Sequence, residues 1–272
     1  MRLVVKCLLA LAAVALAVPL VVIASGAADK KGSRPPAKQI RLMLFVGSAS
    51  KPPTEAAAAA FQKAHPNIKL DMTFGGSGAI LTQMTLEQIG DIYLPGSDDY
   101  MDKAEKLKAV IPETRKIVAY LVPTICVQHG NPKKIRSLAD LARPGVTVAL
   151  AKPGAVCLGD VSDEILKKAG LEEQVKKNCF TYPLSCEQTQ HLVQSGEVDA
   201  IIGWDAFKSW APDQIDLVSI PAKLIRVRNI PAAVAVYSKQ RKAAEQFISF
   251  LTSRQGKAIF AKHGYSIRPP KI

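Results

Sequence analysis

Between Ile68 and Met84 the chain runs from strand to glycine turn to helix, and few arrangements accommodate that succession. Ile68-Lys69-Leu70-Asp71-Met72-Thr73-Phe74 alternates apolar and polar residues, the period of a strand with one buried face. Phe74-Gly75-Gly76-Ser77-Gly78 then turns the chain into Ala79-Ile80-Leu81-Thr82-Gln83-Met84, a segment of good helix formers. Such a turn presents free backbone N–H groups and the positive end of a helix dipole, which suits an anion. The same residues also suit an ordinary strand-to-helix turn in which Ser77 merely caps. The rest of the chain has to decide.

The unit recurs. Gln39–Val46 reads as a strand, Gly47–Pro53 as its loop, and Thr54–His65 as an alanine-rich helix stopped by Pro66. A helix over 79–89 follows the glycine turn. Gly90–Gly96 is a short buried strand ending in a turn, and Asp98–Lys108 a further helix with Asp98 or Asp99 near its cap. Arg115–Gln128 is apolar and β-rich around Pro123 and reads as one long strand. Beyond it, strands are expected over 146–150, 179–182, 198–204 and 217–221, with an extended return over 225–237. Helices are expected over 160–169, 186–195, 243–250 and 253–263, and a helical turn over 137–141. Strand–loop–helix repetition of this kind indicates an α/β fold with a parallel sheet covered by helices.

The start of the chain reads differently. A short basic stretch ending at Lys6 precedes the apolar run Cys7–Ala24, and the small residues Ser25-Gly26-Ala27-Ala28 follow. That is the pattern of an export signal over residues 1–28, cleaved near Ala27 or Ala28; an uncleaved anchor is the alternative. Cys7 sits too early in the run for lipid attachment. Residues 29–38, charged and carrying Pro35-Pro36, read as a disordered tail. Roughly 245 residues then remain, enough for one large or two small cores. The chain carries a formal net charge of +13 at pH 7. A basic surface favours anionic partners, but export and the lack of a basic-aromatic array argue against nucleic acid.

Motifs for catalysis are missing. The sequence contains no Gly-x-Ser-x-Gly elbow, no His-Glu-x-x-His and no P-loop, so no enzyme activity, catalytic residue or cofactor is expected. Asp98, Asp99, Glu187 and Asp205 read as helix caps or rim residues. His65, His129, His191 and His263 lack metal-ligand spacing. Beyond the signal, Cys126, Cys157, Cys179 and Cys186 permit disulfides in an exported protein, Cys179–Cys186 being one pairing, but none shows C-x-x-C spacing. No metal site is expected from spacing.

Four ordered stretches give the chain a family likeness: Phe45–Ser50, Phe74-Gly75-Gly76-Ser77-Gly78, Ser137-Leu138-Ala139-Asp140-Leu141-Ala142-Arg143-Pro144-Gly145, and Gly196-Glu197-Val198-Asp199-Ala200. Together with the helices around Phe247 and Phe260, they resemble the periplasmic molybdate- and tungstate-binding proteins of ABC importers. The resemblance covers nearly all of residues 39–268. It implies a two-lobed type II periplasmic-binding-protein fold, each lobe a mixed, mostly parallel sheet flanked by helices, with a two-strand hinge. Lobe I would be residues 39–120 plus 225–272, and lobe II residues 121–224.

It further implies a monomeric periplasmic protein that holds a small tetrahedral oxyanion between its lobes and delivers it to an ABC permease in the inner membrane. Ser77 and Gly78 match the family's glycine-serine turn. The serine of the first loop falls at Ala49, so Ser48 or Ser50 would substitute, and Lys51 would add a positive charge. Backbone donors fall near Cys157, Leu158, Cys186 and Glu187. A family tyrosine falls at Trp204, which keeps a donor but loses the hydroxyl. Thiols at Cys157 and Cys186 leave open a second ligand class, a soft metal, metalloid or other small solute.

Overall fold

The computed structural model describes residues 39–271, and the expected signal segment and tail lie outside them. The chain opens with β1 (Ile40–Gly47), and α1 (Lys51–Ala64) follows through the 3₁₀ turn Ser48–Ser50. The helix starts earlier than expected because Pro52 and Pro53 suit a first turn, where no backbone N–H is required. Phe61 pins α1 to the core. Its ring is fully buried and meets Phe247 edge-on at 5.1 Å, and burying it contributes about 2 kcal/mol.

Next come β2 (Ile68–Gly75), α2 (Ser77–Glu87), β3 (Ile92–Leu94) and α3 (Asp98–Lys106). The strand expected over 115–128 is two strands, β4 (Lys116–Leu121) and β5 (Pro123–Gln128), which belong to different sheets. Pro123 has no N–H to carry the first ladder onward, so the chain changes sheets at Val122. Then follow β6 (Val148–Ala149), α4 (Cys157–Ala169), the short α5 (Glu172–Lys177), β7 (Cys179–Thr181) and α6 (Cys186–Gln194). The chain finishes with β8 (Ala200–Trp204), the short α7 (Phe207–Trp210), β9 (Ile215–Val218), β10 (Arg228–Val234), α8 (Arg241–Thr252) and α9 (Arg254–Lys262).

These strands form two five-stranded sheets, ordered β2-β1-β3-β10-β4 and β7-β6-β8-β5-β9. In the first, β1 runs parallel to β2 and β3, with Gly47 opposite Gly75 and Val46 opposite Leu94. Three parallel strands therefore end at one level, and the turns at Ser48, Ser77 and Ser97 leave the same edge. In the second, β6 is parallel to β7 and β8, which brings the starts of α4 and α6 and the end of β8 to its matching edge. Antiparallel strands complete each sheet. This is a two-lobed α/β architecture, and its strand-end edges are where open α/β sheets bind ligands.

Charged side chains lace the lobes at one flank. Arg226, on the return segment, reaches Asp98 at 2.7 Å and Asp99 at 2.6 Å. The nearly buried Arg228 pairs with Glu164 of α4 and with Asp99 at 3.3 Å. Asp98 and Asp99, expected as caps, therefore also anchor arginines, while the cap of α3 is Ser97.

Candidate ligand-binding cleft

Five helix starts converge between the two sheets. The starts of α1, α2 and α3 come from the first, and those of α4 and α6 from the second. Both α2 and α4 begin earlier than expected, at Ser77 and Cys157, which places Gly78 and Leu158 in first turns, whose N–H groups have no partner within the helix. The facing edges touch directly. Gly78 N donates to Ala155 O at 2.9 Å, Ala79 N to the same carbonyl at 3.3 Å, and Cys186 N to Ser48 Oγ at 2.9 Å. Tyr100 of α3 donates to Asp160 of α4 at 2.8 Å.

The expected residues divide between interior and rim. Ser48, Ser77, Gly78, Cys157, Leu158, Cys186 and Trp204 are all buried together. Ser77 Oγ accepts from Gly96 N at 3.0 Å, and Tyr93 fixes the turn by donating to Ser77 O at 2.9 Å. Ser50 is buried but turned back: its hydroxyl donates to Gly47 O at 3.1 Å. Lys51 does not point its charge inward. Its Nζ pairs with Glu187 at 2.9 Å on the rim, joining the first loop to α6, and that hydrogen bond raises the Lys51 pKa.

Cys157 and Cys186, both buried, head α4 and α6 at this point. All four described cysteines are free thiols, so the Cys179–Cys186 pairing is not formed. The nearby Cys186 thiol lowers the Cys157 pKa against the effect of burial. The nearby Cys157 thiol and burial push Cys186 well above an ordinary thiol. Ser97 Oγ and Trp204 Nε1, both on fully buried residues, have no hydrogen-bond partner. Sequence reasoning missed Ser97, although it follows the same strand–glycine–hydroxyl–helix pattern as Ser77.

Outside this point a cavity of about 890 Å³ opens at the mouth, lined by Phe74, Gly76, Gln83, Leu184, Glu187 and His191 among others. Glu187 thus bridges mouth and rim. Of the other histidines, His129 lies on Asp216 at 3.3 Å and His65 stacks on Phe61 at 4.3 Å, both away from the interior. Among the described residues, no group of three or more His, Cys, Asp or Glu side chains could hold a metal ion.

Asp205 does not repel a ligand, because its carboxylate faces the sheet crossover. It accepts from Val122 N and Ala206 N, each at 3.0 Å. Burial pushes its pKa up to about 6, against those two amides. The ordinary carboxylate value is near 4, so the folded chain binds this proton more tightly than the unfolded chain does. Its stabilising contribution is therefore present below about pH 4 and lost as pH rises through 6. Asp205→Asn keeps an accepting oxygen without the charge. The difference in unfolding temperature, variant minus wild type, is expected to grow by roughly 4–10 °C between pH 4 and pH 7 and then level off, from about 2–3 kcal/mol. A difference constant across that range would contradict this assignment.

Sheets of this topology, with facing strand ends closed over one buried point, define a type II periplasmic binding protein. The chain belongs to the bacterial extracellular solute-binding protein family, whose model matches residues 42–266. It is 26% identical over 206 residues to the molybdate-binding protein ModA of Mycobacterium tuberculosis, covering 76% of this chain and 77% of that one. Its fold matches the periplasmic molybdate-binding protein of Azotobacter vinelandii with a TM-score of 0.74 at 18% identity, covering 84% of this chain and all of the other. It also matches the sulfate-binding protein SubI of Mycobacterium tuberculosis, with a TM-score of 0.72 at 19% identity, covering 84% and 86%. Family and neighbours are binding proteins rather than enzymes. Among the described residues, no helix is long and apolar enough to cross a membrane.

Proposed function

We propose that this protein is exported by a cleaved signal over residues 1–28. In the periplasm it captures a tetrahedral oxyanion, molybdate or tungstate, and delivers it as a monomer to an ABC permease of the inner membrane. The observation that carries the reading is the convergence of the α2, α4 and α6 starts on one buried point lined by Ser48, Ser77 and Ser97. Amide dipoles and hydroxyls can replace the hydration shell of a dianion without a counter-charge, and burial strengthens each of those bonds. Lys51 agrees with this, since its charge is committed to Glu187 at the rim.

In this reading the lobes hinge where the chain crosses between sheets, at Val122 and along 219–227, with lobe I formed by 39–120 plus 225–272 and lobe II by 121–224. Ser48 and Ser77 donate from lobe I. The amides of Cys157, Leu158, Cys186 and Glu187, with Trp204 Nε1, close from lobe II, and closure is what the permease senses. Relatives that bind molybdate and sulfate share the fold, so the anion must be identified by measurement. Isothermal titration of residues 29–272 is expected to give saturable one-to-one binding of molybdate or tungstate, with sulfate and phosphate at least tenfold weaker. No heat and no thermal shift with any of the four anions would sink the reading.

A further inference from the structure

Closing two lobes over a ligand orders them, and contacts between the lobes offset that cost without touching the ligand. One such contact is built differently from the rest. Asp160, in the first turn of α4, holds three donors at once. Its Oδ1 accepts from Gly154 N of its own lobe at 2.7 Å. Its Oδ2 accepts from two groups of α3 across the cleft, Tyr100 OH at 2.8 Å and Lys103 Nζ at 3.2 Å. The Lys103 ammonium also lies 3.9 Å from the centre of the Tyr100 ring.

The place of this contact in the fold gives it leverage. The loop before α4 carries Gly154 and Ala155, and Ala155 O accepts from Gly78 N and Ala79 N of the facing lobe. A single carboxylate therefore fixes that loop and ties it to α3. Burial and the bond to Asp160 raise the Tyr100 pKa, which keeps its hydroxyl protonated as a donor.

The other charged links between the lobes are weaker levers. Lys51 and Glu187 pair with side chains 32% and 50% exposed, where water and salt screen the attraction. Arg228 and Glu164 pair at the start of β10, beside the crossover that the hinge reading uses, where opening moves the lobes least. Tyr100 is only 2% exposed, and a charge-assisted bond shielded from water is the stronger kind.

We propose that Tyr100 and Asp160 form a clasp that stabilises the closed cleft through protein alone, raising the closed population of the ligand-free protein and slowing release of whatever the cleft binds. A bond made only in the closed state shifts the closed population by its own factor, and affinity follows that population. Both are positioning residues, acting through the loop and α3 rather than on the anion. The inference rests on the two-lobe closure proposed above but not on its oxyanion.

Small-angle scattering of residues 29–272 without any anion tests the clasp directly. Tyr100→Phe keeps the ring and loses the donor, and Asp160→Asn keeps an acceptor for Gly154 and loses the charge. Each is expected to widen the ligand-free particle relative to wild type. In Gly78→Ala, whose added Cβ keeps the facing edges apart, neither should widen it further, whereas a merely structural loss would act in both backgrounds. With molybdate as the probe, each single variant should release the anion about tenfold faster, with association within about twofold of wild type. Ligand-free particles of one size in wild type and both variants overturn the clasp, and so does equal widening in the Gly78→Ala background.

The clasp and the oxyanion reading fail separately. Variants that widen the ligand-free particle, in a protein that binds none of molybdate, tungstate, sulfate and phosphate, uphold the clasp and remove the oxyanion. Molybdate bound and released alike by wild type and both variants, with no widening, removes the clasp and leaves the oxyanion.

Discussion

Gly78→Ala is expected to lower ligand affinity at least 100-fold. Gly78 is the second residue of α2, in ordinary helical geometry, so alanine is allowed by the local backbone. Within a helix, alanine is favoured over glycine by about 0.5–1 kcal/mol, so the helix itself accepts the change. Across the cleft the outcome is different. A Cβ at this position would lie well inside 3.0 Å of Gly154 O, a backbone atom of the second sheet's loop, and 3.1 Å from Gly154 C.

Backbone cannot yield as a side-chain tip can, so the edges must separate by about an ångström, against packing that behaves as close-packed solid. That separation breaks the Gly78 N to Ala155 O bond and withdraws the amides that would face the anion. Gly76→Ala should act alike, since its Cβ would meet Ala155 O and come within 2.8 Å of Leu184 O. Titration calorimetry gives the affinity. Small-angle scattering should show compaction on ligand addition in the wild type and none in Gly78→Ala. Unchanged affinity in both variants would mean that the α2 turn does not form the closing surface.

What made these turns legible in the sequence is that their chemistry is local. A strand that ends in a turn needs glycine where backbones approach and a hydroxyl where a helix begins, and both requirements appear within five residues at Phe74–Gly78. The same logic places α6, which begins at Cys186 after Ser185, whereas α4 follows Val156, which offers no hydroxyl, and its start at Cys157 was expected only at Asp160. Contacts between distant segments leave no comparable trace. No spacing rule brings the starts of α4 and α6 together, since one follows β6 and the other β7 and only the parallel pairing of those strands sets them at one edge. Lys51 looks like a ligand for an anion until Glu187 is placed opposite it across the cleft.

The division at Val122 is legible only through Pro123, because the residues on both sides favour strand equally and the sheets they join are fixed by tertiary pairing. Ser97 was hidden by its neighbours. Asp98 and Asp99 carry the stronger capping signal, yet they are committed to Arg226 and Arg228, and the serine before them faces the pocket.

Ser77 should carry the largest single hydroxyl effect on binding, and the structure sets up a contrast that isolates it. Its Oγ is buried and accepts from Gly96 N at 3.0 Å, which leaves its own proton to be donated to a ligand oxygen. A hydrogen bond to a charged group contributes about 1.5–3 kcal/mol, and Ser77→Ala is therefore expected to weaken oxyanion binding by roughly 10- to 150-fold. The substitution also strips the Gly96 amide of its acceptor. An unsatisfied buried donor costs about 1–3 kcal/mol, so the unliganded protein should unfold roughly 2–10 °C lower.

Ser50→Ala supplies the contrast. That hydroxyl is equally buried, but it donates to Gly47 O within its own turn, so its loss should touch stability without changing affinity by more than about threefold. Calorimetric titration and thermal unfolding of both variants, each with and without molybdate, separate the two effects. Equal affinity losses in Ser50→Ala and Ser77→Ala would mean that the first loop and the glycine turn contribute only shape. A loss confined to Ser77→Ala would place the anion at the start of α2, at the positive end of its dipole.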